Sequence, residues 1–152
     1  MPETDCGFDD AVGGASGADL LVYQGPTVRV DIGFDANWKV GAAAPAPGIS
    51  GIDALVDTGS GECCIDDMLA TQLNLPRVDR RPVGGIGGKM MANVYLAQIR
   101  VPSLDFIVYG RFAGVHLRAG GQIHQALIGR TFLRYFNMSY DGLTGKVKLV
   151  KK

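Results

Sequence analysis

The chain has 152 residues, 47% of them hydrophobic, which suffices for one core and one domain of ordinary size. Fifteen basic residues balance fifteen acidic ones, so no general electrostatic pull draws it toward nucleic acid or an anionic membrane, and neither is expected as a partner. No stretch has the basic start and apolar run of a signal peptide, and none is long enough to cross a bilayer, so a cytoplasmic location is expected.

The first nineteen residues carry Glu3, Asp5, Asp9, Asp10 and Asp19 with no Lys or Arg, whereas Lys146, Lys148, Lys151 and Lys152 crowd the other end. An acidic, Gly/Ala-rich start without aliphatic periodicity predicts a flexible arm over 1–19, followed by a domain over 20–152. Residues 20–35, LLVYQGPTVRVDIGFD, alternate Val28, Val30 and Ile32 with Arg29, Asp31 and Gly33, the period of a half-buried strand. The prolines and small residues of 37–50 predict a loop or wide hairpin end. GIDALVD, 51–57, predicts a strand, and DDMLATQLNL, 66–75, a helix capped by Asp66, with Met68, Leu69 and Leu73 on one side and Pro76 as its stop.

Residues 82–101 place β-prone arms on either side of Gly84, Gly85, Ile86, Gly87 and Gly88, which predicts a hairpin with a glycine-rich tip. LDFIVYG, GVHLR and QALIGR predict short strands, TFLRYF a short helix, and NMSYDGLTGKVKLV a hairpin turning through Asp141, Gly142, Thr144 and Gly145. Many short strands with closely spaced turn signals predict an all-β barrel or sandwich with one or two helices.

Most chemistry is excluded by spacing. Cys6, Cys63 and Cys64 make a poor disulfide framework, and with His116 and His124 they match no common zinc spacing, so reduced thiols are expected and neither metal nor other cofactor. GGIGGK lacks the first glycine and the final hydroxyl of a phosphate loop and lies within a hairpin. Ser60 has Thr58 where a nucleophile elbow needs glycine, and a lone histidine in a β protein is more often packed or exposed than catalytic.

Asp57 remains. It follows the apolar run Ala54-Leu55-Val56 and precedes Thr58, Gly59 and Ser60, so an acid sits at a strand end beside a hydroxyl and a glycine that lets a ligand approach. Three features in order, ALVDTGS, then GGIGG about thirty residues later, then ALIGR before a short helix, resemble the retropepsin-like (retroviral-type) aspartic proteases over roughly 20–150. The resemblance implies a closed β-barrel-like acid protease fold with one or two short helices, Asp57 in the catalytic loop, and residues 82–94 as a hairpin flap. It also implies that Leu127, Ile128 and Gly129 pack beneath the catalytic loop and that Arg130 ties the subunit interface or a nearby loop.

Such proteolysis needs two aspartates sharing a proton, and the chain has one DTG, so the resemblance implies a symmetric homodimer hydrolysing a peptide or protein substrate between two Asp57 carboxylates. Within it, Thr58 would bond across the axis and Gly59 would offer its carbonyl to substrate. Ser60 would donate to a carboxylate oxygen and so favour an acidic optimum. Gly85, Ile86 and Gly87 would meet substrate at the flap tip, with the Ile86 N–H turned toward it. In place of the viral acidic pair stand Gly61 and Glu62, so Glu62 is the candidate partner of Arg130, and the terminal hairpin exceeds the single viral interface strand. The alternative is the same fold used as a catalytically weak dimerisation or peptide-binding module.

Overall fold

The structure, a computed structural model, describes residues 1–85 and 87–152. In chain order the elements are β1 (Glu3–Asp5), α1 (Gly17–Gln24), β2 (Thr27–Gly33), β3 (Ile49–Val56), β4 (Cys64–Asp66), α2 (Asp67–Gln72), β5 (Arg77–Gly85), β6 (Gly88–Val101), β7 (Phe106–Val115), β8 (Ala126–Ile128), α3 (Arg130–Leu133), β9 (Phe136–Asp141) and β10 (Lys146–Lys151). A 3-10 turn at Pro102–Leu104 joins β6 to β7. The chain is thus mostly β with short helices, as its turn spacing predicts.

Seven strands form one sheet in the order β2-β3-β8-β4-β7-β6-β5, and β2 also pairs with β6. That extra pairing closes six of them into a ring and leaves β5 outside it as one arm of the β5–β6 hairpin. Closure accompanies a bulge in β3: Thr27 to Val30 pair with Leu55 to Ile52, an extra β3 residue then sets Ile32 opposite Ile49, and Asp31 to Gly33 pair on their other side with β6. Val28, Val30 and Ile32 point into the barrel beside Ile65, Leu69, Ile99 and Ile128, all buried in one core. Period-two alternation therefore becomes a filled interior.

β8 lies between β3 and β4, parallel to β3 through Val56 opposite Ile128 and antiparallel to β4 through Cys64 opposite Leu127. The chain leaving β3 must cross the end of β8 to reach β4, and the crossing segment is 57–63. α2 follows β4 and is capped as the sequence predicts, with Asp66 Oδ2 accepting from the Leu69 N–H at 3.4 Å. It ends at Gln72, short of the expected 75, and buries Leu69 and Ala70 while Met68 stays exposed.

A second sheet, in the order β1-β10-β9, is built from the two ends of the chain. Here the structure corrects the flexible arm expected over 1–19. β1 pairs with β10 from Glu3 opposite Val150 to Asp5 opposite Lys148, and Cys6 is buried with its N–H on the Val147 carbonyl and its carbonyl on the Thr27 N–H, both at 2.8 Å. Glu3 pairs with Lys148 and Asp9 with Lys146, so the uneven charge of the two ends is complementary once folded. The boundary at residue 20 falls inside α1, which also replaces the start of the strand expected over 20–35. Ser16 caps α1 by accepting from the Asp19 N–H, Gly25 ends it at φ 74°, and Leu21 anchors it in the core.

Candidate active site

Asp57 is the first residue beyond β3 and is half-buried. Its N–H donates to the Ile128 carbonyl at 2.9 Å, which extends the β3–β8 ladder by one residue and sets the carboxylate at the strand end. Its Oδ1 accepts from the Gly59 N–H at 2.9 Å, while its carbonyl accepts from the Ser60 N–H at 3.2 Å. The side chain is oriented by its own loop, and among the described residues no Lys or Arg forms an ion pair with it.

The rest of the loop is held from β8 and α3. Arg130 and Thr131 donate their N–H groups to the Ser60 and Gly61 carbonyls, each at 2.9 Å, and Arg130 Nη1 donates to the Thr58 carbonyl at 2.7 Å. Gly129 passes so close beneath that a Cβ there would lie 2.4 Å from the Glu62 oxygen and 2.8 Å from the Ser60 oxygen. Only hydrogen fits in that space. Ile128, Gly129 and Arg130 therefore all meet the loop.

Two side chains differ from expectation. Ser60 Oγ donates to the Glu62 carbonyl at 2.7 Å, so it closes the loop on itself and does not reach the Asp57 carboxylate. The backbone carbonyl two residues on takes the hydroxyl proton instead. Glu62 is not the partner of Arg130 either. It pairs with Arg81 of β5, and Arg130 spends its charge on the Thr58 carbonyl. Arg81 is the residue that sequence reasoning missed, although its place two positions before the inward-facing Val83 would turn it toward the same side.

The hairpin is present as predicted, with Gly85 closing β5 and Gly88 opening β6. Gly85 and Gly87 are exposed and line a cleft of about 290 Å³ together with Val83, Met90, Met91 and His116, a lining that does not include Asp57. Ile86 lies outside the described residues. The hairpin is tied to the Asp57 loop through Arg81 and Glu62, at the root of the arm and not at its tip.

The remaining titratable groups stand apart from Asp57. Cys6, Cys63 and Cys64 are unpaired and buried. Burial pushes the Cys6 thiol up to about 12 and, with the neighbouring Cys63 and Glu62, the Cys64 thiol up to about 11. Cys63 is raised in the same way, though its sulfur accepts from the Gly129 N–H at 3.4 Å, so it serves as packing beneath the loop. His116 is exposed. His124 is buried, with Nε2 2.8 Å from Thr27 Oγ1 and Nδ1 without a partner among the described residues. Burial holds its pKa below the ordinary imidazole range, against the opposing pull of Asp53.

No protein-family model and no curated protein matches the sequence. Solved structures similar to it include the following two. The EIAV protease complexed with an inhibitor shares 18% identity, covering 72% of this chain and 85% of its own, at a TM-score of 0.47. A retropepsin-like aspartic protease from Rickettsia conorii shares 14% identity, covering 81% and 80%, at a TM-score of 0.46. The reading of this site rests on its own residues.

Proposed function

We propose that this protein is a retropepsin-like aspartic endopeptidase that works as a symmetric homodimer, in which the two Asp57 side chains form the catalytic pair. The observation that carries the reading is the setting of Asp57. A half-buried carboxylate without a cationic partner among the described residues stands at a strand end, one oxygen held by the Gly59 N–H, on a loop fastened at Thr58, Ser60 and Gly61. A carboxylate kept for structure would be paired or internally satisfied, as Asp66 is by the N–H groups of Leu69, Leu117 and Arg118.

Two such carboxylates meeting across an axis cannot both ionise easily, so the pair works while holding one proton. The ionised member draws a proton from a water held between them as its oxygen attacks the scissile carbonyl carbon. The protonated member gives its proton to the carbonyl oxygen, which produces a neutral tetrahedral diol. Collapse of the diol breaks the C–N bond, the amine nitrogen takes up a proton from the pair, and the other carboxylate recovers one from the diol hydroxyl. Thr58 and Gly59 would hold the loop and the substrate backbone, while Gly85, Ile86 and Gly87 would close over the peptide. Because the pair must keep one proton between its two carboxyls to work, cleavage should peak on the acid side of neutrality.

The test is cleavage of an unfolded protein between about pH 3 and pH 8 by the native chain beside Asp57→Asn. Loss of cleavage in the variant, with specific activity rising with enzyme concentration, is expected. Equal cleavage by both proteins, or an optimum above neutrality with the dimer present, would overturn the reading.

A further inference from the structure

We infer that the open edge of β7 is a second peptide-binding site, apart from Asp57, which takes an extended segment of alternating acidic and apolar residues as an added strand. It stands whether or not Asp57 cuts peptides.

β7 is ten residues long, but its two neighbours cover it unequally. β6 pairs with it from Phe106 to Ala113, whereas β4, three residues long, reaches only Ala113 to Val115. Over residues 106–112 one side of β7 therefore has no strand beside it. The direction of its free groups follows from both ends. On β6 the Leu96 N–H donates to the Pro76 carbonyl, toward β5, so Leu96, Gln98 and Arg100 face away from β7 and their partners Arg111, Tyr109 and Ile107 face away from β6. From the other end, the Asp66 N–H donates to the Gln125 carbonyl beside β8, so Ile65 faces β7, and parallel pairing then turns Ala113 and Val115 toward β4. Two-residue alternation from there returns to Arg111, Tyr109 and Ile107. Their N–H and C=O groups are engaged by no loop or side chain among the described residues.

The space beside this edge is a groove of about 440 Å³. Its opposite wall is Glu62 and Cys63 of the Asp57 loop with Thr131 and Tyr135, on and just after α3. At one end the Phe106 ring meets that wall, 5.7 Å from the Tyr135 ring and backed by Phe132 and Phe136. Midway along the edge Gly110 takes φ 121° with open space where a Cβ would sit, and a glycine inside a strand suits the close approach of another backbone.

Charge selects the occupant. Glu62 in the lining and Asp105 just before β7 are each already paired, with Arg81 and Arg100. Arg111 in the lining is exposed, Arg134 lies over the Tyr135 ring and Lys151 over the Phe106 ring, and none of these three forms an ion pair among the described residues. Unspent cations thus surround an edge with an aromatic floor. A strand added here sets the residues opposite Tyr109 and Arg111 on the outer face, and the intervening ones beside Phe106, Val108 and Phe112 on the core face. Acids suit the first set and aliphatic side chains the second, while the main chain supplies hydrogen bonds common to any sequence.

The experiment is fluorescence anisotropy with a fluorescein-labelled peptide of alternating valine and glutamate, beside the same peptide with lysine for glutamate. The full chain is expected to bind the glutamate peptide about tenfold or more tightly than the lysine peptide, and Arg111→Glu to remove most of that preference. Tyr109→Pro takes away an N–H that faces the groove and leaves the β6–β7 ladder in place; it should weaken binding about fivefold relative to Tyr109→Ala, its side-chain control. Circular dichroism checks folding, and Arg111→Glu, a surface change, decides the matter if the proline variant does not fold. Asp57→Asn should bind as the native chain does, so failure of the protease reading leaves this result standing. Equal binding of the two peptides, or a glutamate peptide indifferent to Arg111→Glu, overturns the inference. So does displacement of the peptide by one carrying a hydroxyl in place of the scissile carbonyl, which would seat it at Asp57. A dimer that dissociates in Arg111→Glu while the peptide fails to bind also overturns it, in favour of a second copy at this edge.

Discussion

Glycine serves opposite purposes in the two regions that would meet a substrate. At Gly129, beneath the Asp57 loop, a Cβ has no room, because the carbonyls of Ser60 and Glu62 lie within 2.8 Å of where it would sit. At Gly84, Gly85 and Gly87 a Cβ would meet nothing within 4 Å among the described residues. The first region is over-determined, with hydrogen bonds to the carbonyls of Thr58, Ser60 and Gly61 converging from Arg130 and Thr131. The second leaves the space beside its glycines open. Reactions that depend on preorganised groups need the first arrangement, and covers that must open and close need the second. Counting glycines would not distinguish them; asking what each one touches does.

The largest expected effect follows from that contrast. Gly129→Ala should destabilise the fold by about 3 kcal/mol or more, since the methyl meets backbone and no flexible side chain can yield to it. Gly84→Ala, in open space and without a positive φ, should change stability by no more than about 0.5 kcal/mol. Urea unfolding of both variants reads the difference, and similar midpoints would erase the distinction between platform and cover.

A second effect concerns the far end of the same platform. His124 stands just before β8 and is buried in the neutral form, donating from Nε2 to Thr27, whose hydroxyl is itself given to the Gly25 carbonyl. Its folded pKa is depressed by burial, so below the unfolded value of about 6.5 the unfolded chain takes up a proton that the folded chain resists. This contribution to stability is complete above that value and is lost as pH falls below it. Unfolding free energy should therefore drop between about pH 7.5 and pH 5.5, and the drop should shrink in His124→Asn. An unchanged pH slope in the variant would show that the platform is indifferent to this imidazole. The proposed acid optimum and this loss pull in opposite directions, so the activity maximum should lie above the point where the fold begins to loosen.

Much of this was legible in the residues themselves. Alternating Val28, Val30 and Ile32, the Asp66 cap and the glycine-rich hairpin all follow local rules, and the structure keeps them. The contacts of Asp57 with Ile128, and of its loop with Gly129 and Arg130, join residues about seventy positions apart, which no local pattern shows and which came only through the resemblance. α1 was misread because Leu20, Leu21, Val22 and Tyr23 form an apolar run that suits strand or helix; the Ser16 and Asp19 capping pair and the Gly25-Pro26 stop were the deciding signals. The acidic start was misread as an arm because its folding depends on lysines at the other end of the chain and on burial of Cys6, neither of which lies in the segment's own composition.

The smallest expected effect tests the one side-chain polar tie between the two regions among the described residues. Arg81 on β5 pairs with Glu62 at the end of the Asp57 loop, and both side chains are more than a third exposed, so solvent screens the attraction. A double-mutant cycle with Arg81→Ala and Glu62→Ala should give a coupling of about 0.5 kcal/mol in stability and less at high salt. The kinetic signature is more telling. If the pair only decorates the surface, the substitutions leave the KM and kcat of the proposed cleavage unchanged. If it sets how the hairpin root sits against the loop, Arg81→Ala raises KM while kcat holds, and exchanging the charges as Arg81→Glu with Glu62→Arg restores it. That restoration would show that cover and platform, built on opposite uses of glycine, are nevertheless held in register by a single exposed ion pair.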